Sequence, residues 1–176
     1  MHRYGDGMSH QYLAATVAIL ALAACGSSKA DPAPVQVRPL LAACSADGTA
    51  RSGTPVIGET AALAWTSPDG DRVCITGPAA DGDGPLFTNA EVQALDGTFF
   101  VSASIVDTGA NAFNALTAAC YQRDSACPTG QLAVTVEGRV LSVATVQTPT
   151  FEGSVQFAFA TEADAQRFVD AVNSGR

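Results

Sequence analysis

The sequence of 176 residues predicts an α+β domain, an antiparallel β-sheet with two to three α-helices packed on one face. Period-two alternation is the first observation behind this. In "TFFVSASIV" (98–106), Phe99, Val101, Ala103 and Ile105 form one fully apolar face, while Ser102 and Ser104 fall on the other. The second is helical spacing behind capping residues, as in "TEADAQRFVDAVNSG" (161–175). The third is the order of segments, strand, helix, hairpin, strand, helix, which suits an antiparallel sheet covered on one side.

The N-terminus carries an address. A short polar start with Arg3 precedes the continuous apolar run "YLAATVAILALAA" (12–24), the layout of a signal peptide. The run is too short to span a bilayer, which takes roughly 20 apolar residues as helix. Leu22-Ala23-Ala24-Cys25 resembles the lipobox of bacterial lipoproteins, in which the cysteine thiol receives a diacylglyceryl group before cleavage. Cys25 is therefore the expected lipidation site and the first residue of the mature chain. Plain secretion is the alternative. The same tetrapeptide ends at Cys44, but the polar, proline-rich stretch before it cannot partition into a membrane. Two acyl chains hold a small domain on a membrane stably. The expected organisation is a signal peptide over 1–24, a flexible Ser/Pro/Ala-rich tether over 25–39 and one domain over 40–176.

The first elements expected in the domain are "TAALAWT" and "DRVCIT", read as strands around the turn "SPDGD". "TNAEVQAL" (88–95) reads as a short helix, because Thr88 and Glu91 stand at capping-box spacing. The strand 98–106 follows. "DTGANAFNALTAACYQ" then offers Asp107 or Thr108 as cap of a helix, with Phe113, Leu116 and Cys120 on one side. "QLAVTVEGRVLSVATV" (131–146) is two alternating runs joined at Glu137-Gly138, a hairpin. "SVQFAFA" (154–160) alternates again. In the last helix Thr161 caps, Asp164 answers it, and Ala165, Phe168, Val169 and Val172 share a face.

Beyond Cys25, the cysteines are Cys44, Cys74, Cys120 and Cys127, an even number in an oxidising compartment. Three pairings exist in principle. Cys120 and Cys127 enclose a loop short enough for the two to meet just past a helix end, which leaves Cys44 for Cys74. A redox pair more often uses C-x-x-C, and a zinc site needs closer spacing.

The mature chain keeps the net charge of −8, since Arg3 and Asp6 cancel, which argues against nucleic acid as a partner. Both histidines, His2 and His10, lie in the segment expected to be removed. Histidine-based catalysis and histidine metal sites are thereby excluded from the mature chain. "DGDG" (81–84), with Asp69 and Asp71, has oxygen ligands on a glycine-rich loop, but Pro85 interrupts EF-hand spacing, and the segment reads as a solvated acidic loop. Asp96 and Glu137 each precede a glycine and read as turn residues. Trp65 and Phe99, Phe100, Phe157 and Phe159 read as core, with any exposed member able to line a peptide groove. No catalytic residue, metal or cofactor is expected.

The run "FNALTAACYQRDSACPTGQLAVTVEGRVLSVATVQTPTFEGSVQFAFATEADAQRFVDAV" resembles the head subdomain of the first large extracytoplasmic domain of SecD/SecDF, the protein-export membrane proteins. Phe113 and Leu116-Thr117 match its helix, and Ala133 through Val140 its "A-x-x-x-D/E-G-x-V" hairpin. Ser142 matches the serine that follows, Gly153 the glycine before the last strand, and Thr161 through Ala165 its "F-T-x-x-E-A" helix start. Upstream, "ITGPAADGDGPLFTNAEVQA" is similar to the entry of the same module, so the resemblance covers about 72–174. Ser142-Val143-Ala144 stands where the family has "S-A-P", and "FAFAT" (157–161) replaces its "I-x-G-x-F-T". With Cys120, Cys127 and the lipobox, the chain resembles free-standing actinobacterial lipoproteins that carry this module. The resemblance implies a non-enzymatic module on the outer face of the cytoplasmic membrane, in contact with unfolded secreted polypeptide or a membrane complex. A carboxylate-dependent cell-envelope hydrolase and a structural lipoprotein docked on a membrane complex are the competing expectations.

Overall fold

The computed structural model describes residues 35–80 and 84–175. Eight strands and two helices follow in the order β1 (Val35–Pro39), β2 (Ala61–Ser67), β3 (Gly70–Thr76), β4 (Phe87–Leu95), β5 (Thr98–Ile105), α1 (Asp107–Gln122), β6 (Gln131–Val136), β7 (Arg139–Thr145), β8 (Ser154–Phe159) and α2 (Glu162–Asn173). The class is α+β, as the alternation and capping patterns imply. The strands form two sheets where one was expected: a five-stranded sheet β1-β6-β7-β2-β3 and a three-stranded sheet β4-β5-β8. Neighbours are antiparallel except β2 and β7, which meet in parallel at Trp65 and Val140.

The five-stranded sheet closes on itself. Beyond β1, Leu40 bridges Thr76 and Ser45 bridges Val73, both antiparallel. Gly77 N–H donates to Pro39 O at 2.9 Å and Ala80 N–H to Val37 O at 2.8 Å, so one ladder joins the two outer strands. The result is a small barrel whose edges are consumed. Leu40, Ala61, Leu63, Cys74, Ala133 and Val140 fill its interior, with Cys44, Trp65 and Val143 packed against them. Trp65 is thus a half-buried core residue.

The larger core lies between the barrel wall, the three-stranded sheet and the helices. Val35, Val37, Leu132, Val134 and Val136 contribute from the wall, Val101, Ala103, Val155, Phe157 and Phe159 from the sheet, and Phe113, Ala165, Phe168 and Val172 from the helices. Its centre is aromatic: Phe87 meets Phe113 edge-on at 5.4 Å and Phe157 at 5.5 Å, and Phe168 meets Phe157 at 5.5 Å. Such pairs add to what area burial supplies. Phe157 and Phe159 are buried as expected, whereas Phe99 and Phe100 are half-buried.

Three sequence expectations are corrected. The helix expected over 88–95 is part of strand β4: an eight-residue helix is marginal in water, and Asp96-Gly97 forms a two-residue turn that folds this segment back on β5. Helix α1 takes Val106 as its N-cap, with no side-chain bond, instead of Asp107 or Thr108. The tether does not extend to residue 39. Val35–Pro39 is a strand paired with β6 from Val35↔Val136 to Pro39↔Leu132, and every one of its residues is buried. Low periodicity and a proline hid it, because β1 is packed on both faces and shows no alternation of exposure. Cys25 and residues 25–34 of the expected tether lie outside the described residues, as does the signal peptide.

Candidate functional site

The cysteines come together in the pairs that spacing suggests. Cys44 bonds Cys74 and Cys120 bonds Cys127. The first bond staples the seam that closes the barrel, beside the Ser45 to Val73 bridge. The second holds the loop after α1, where Asp124 accepts from the N–H groups of Ala126 and Cys127 at 2.8 and 3.2 Å. Both are structural bonds, with Cys120 and Cys127 fully buried.

Acidic candidates are dispersed. Asp69 and Asp71 sit exposed at the β2–β3 turn, where Asp71 accepts from Thr66 Oγ1 at 2.9 Å. Of "DGDG", residues 81–83 lie outside the described residues. Asp96 and Glu137 occupy the left-handed positions of their turns, with φ of 49° and 50°. Among the described residues no group of three or more His, Cys, Asp and Glu is placed to hold a metal ion. A shallow groove of about 470 Å³ runs between the β6–β7 turn and α2, lined by Val136, Glu137, Arg167 and Asp170 among others.

The free side of β4 is the distinctive feature. Strand β4 pairs with β5 from Val92↔Val101 to Leu95↔Thr98, and all of Glu91–Leu95 is exposed. In an antiparallel hairpin closed by a two-residue turn, Leu95, Gln93 and Glu91 exchange bonds with the partner strand. The N–H and C=O groups of Val92 and Ala94 therefore point outward. No described residue bonds them. One position earlier the pattern changes: Asn173 Oδ1 accepts from Ala90 N–H at 3.0 Å, and Asn173 Nδ2 donates to Ala90 O at 3.0 Å. This carboxamide satisfies both outward groups of Ala90 just as a neighbouring strand would. It sits at a bulge between Thr88 and Glu91, where Asn89 adopts φ of 51°.

Natural edge strands are usually blunted by Lys, Pro, a bulge or a covering element. From Val92 to Leu95 the edge carries none of these residues, and its apolar side chains are open, Val92 at 38% and Leu95 at 62% exposure. The other edge of this sheet is touched near its end. Strand β8 leans on β7, and Ser142 Oγ donates to Ala158 O at 2.6 Å.

Sequence reasoning missed two groups. Arg38, assigned to the tether, is fully buried. Its guanidinium donates to Gln36 Oε1 at 3.0 Å, to Glu59 O and Gly77 O at 2.8 Å each, and to Val56 O at 3.1 Å. Burial lowers its pKa from the ordinary arginine value, nearby Glu59 opposes that fall and Arg51 adds to it. Asn173, the last residue of α2, is the second. The available signal was a carboxamide one turn beyond Val169, at the margin of the apolar stripe.

No protein-family model, no curated protein and no solved structure matches the chain. No described helix is long and apolar enough to cross a membrane.

Proposed function

We propose that this chain is a lipoprotein anchored through Cys25 to the outer face of the cytoplasmic membrane, where its domain grips extended polypeptide without performing chemistry on it. The reading allies it with the head of SecD/SecDF and with a role in protein export or envelope maintenance. The observation that carries it is the unblunted edge of β4, because main-chain groups recognise any extended chain whatever its sequence. An apolar residue on either side of the strand, Val92 and Leu95, supplies contact area without selecting one partner.

A photo-crosslinking amino acid placed at Leu95 in intact cells tests this. The expected result is a ladder of adducts with many secreted chains, lost when secretion is blocked. A single adduct of fixed size would favour docking on one membrane complex instead.

A further inference from the structure

We infer that the β4 edge accepts a basic extended strand in one restricted register, centred on Val92 and Ala94 and stopped by Asn173; this rests on the polypeptide-gripping reading above. The register follows from backbone geometry. Only Val92 and Ala94 offer outward N–H and C=O pairs between the Asp96-Gly97 turn and Ala90, whose pair is taken by Asn173. An incoming strand thus forms two residue pairs with full hydrogen bonding and lies along Glu91–Leu95. Its side chains alternate between the face of Val92 and Ala94 and the face of Glu91, Gln93 and Leu95.

Charge decides between occupants. Strands β4, β5 and β8 contain no Lys or Arg, and the charges along the hairpin are Glu91 and Asp96, one at each end of the open stretch. A second copy would bring another net charge of −8 to this edge, with its own Glu91 and Asp96. A strand bearing Lys or Arg near its ends meets both carboxylates instead. The occupant is accordingly an unlike, basic polypeptide segment.

The test uses the full mature chain and three capped eight-residue peptides in calorimetry at low salt: alternating Val and Lys, alternating Val and Glu, and the Val/Lys peptide N-methylated at alternate residues. The Val/Lys peptide is expected to bind at least tenfold tighter than the Val/Glu peptide, a margin that narrows as salt is raised. N-methylation, which removes the ladder donors and leaves the protein untouched, abolishes binding. Val92→Pro does the same, because it removes an outward N–H while Glu91, Gln93 and Leu95 keep their bonds to β5. Asn173→Ala frees Ala90 and tightens binding several-fold. Equal binding of the N-methylated peptide, or of the Val/Glu peptide, overturns the inference. Undiminished binding to Val92→Pro places the peptide elsewhere, and then this register fails while the gripping reading stands. Failure of all peptides to bind removes both, and self-association abolished by Val92→Pro would assign the edge to a second copy.

Discussion

Arg38 shows how one side chain organises a region with no element of its own. Residues 55–59 form no strand or helix, yet their carbonyls converge on a guanidinium that sits beside Gln36, whose Nε2 also donates to Pro55 O at 3.3 Å. A buried charge is tolerable only where its donors are used, and here neutral carbonyl dipoles do the work that a carboxylate does in an ion pair. Arg38→Met keeps the length of the side chain and strands the carbonyls of Val56, Glu59 and Gly77. The expected loss is about 3 kcal/mol of unfolding free energy by urea titration, since bonds to a charged donor are worth ~1.5–3 kcal/mol each and the loop relaxes in part. Arg38→Lys falls between, because an ammonium cannot span the same fork. A change below about 0.5 kcal/mol, within the range of an ordinary surface substitution, would show that the clamp is incidental. Two of the helix asparagines act on the same logic: Asn114 holds Phe151 through both backbone groups, at 2.8 and 3.2 Å, as Asn173 holds Ala90.

Two of the three hairpin turns have matching backbones and different surroundings. Asp96-Gly97 and Glu137-Gly138 both place their residues at positive φ, with Gly97 at 77° and Gly138 at 78°. A Cβ on Gly97 meets open space, whereas a Cβ on Gly138 would lie 2.6 Å from Gly53 O. Gly97→Ala therefore pays only backbone strain, about 1 kcal/mol. Gly138→Ala adds a collision with backbone, and its melting temperature is expected to fall well below that of Gly97→Ala; equal melting points would contradict the close approach of residue 53. Both turns were legible in the sequence, as were β2, β3, β5, the β6–β7 hairpin, β8 and α2, whose Thr161 cap accepts from Asp164 N–H. These are segments where alternation or capping agrees with a local turn signal. Strand β4 was illegible because Thr88 and Glu91 imitate a capping box, and only pairing with β5 decides its conformation. Strand β1 was illegible because its polar members, Gln36 and Arg38, are buried by partners distant in sequence. The open edge was invisible for the same reason: a strand must be placed before its free side exists.

The molecule has resolved the edge problem unevenly. One sheet is wrapped into a barrel and locked by Cys44–Cys74, whose partners are separated by 30 residues; closing a loop of that length contributes about 3.6 kcal/mol in the chain-entropy model, against about 2.4 kcal/mol for the seven-residue separation of Cys120 and Cys127. The other sheet leaves β4 uncovered over Glu91–Leu95 while Asn173 guards the position beside it. An edge left free over this stretch can take up a further strand. With the lipid tether proposed at Cys25, such a surface would meet chains as they emerge at the membrane, in the extended state that an edge can pair. The most direct test is amide hydrogen exchange of the native protein with and without a reduced, alkylated, permanently unfolded basic protein. Slowed exchange at the amides of Val92 and Ala94, with the barrel strands unchanged, is the predicted result, and exchange along β4 that is indifferent to the unfolded chain would contradict it.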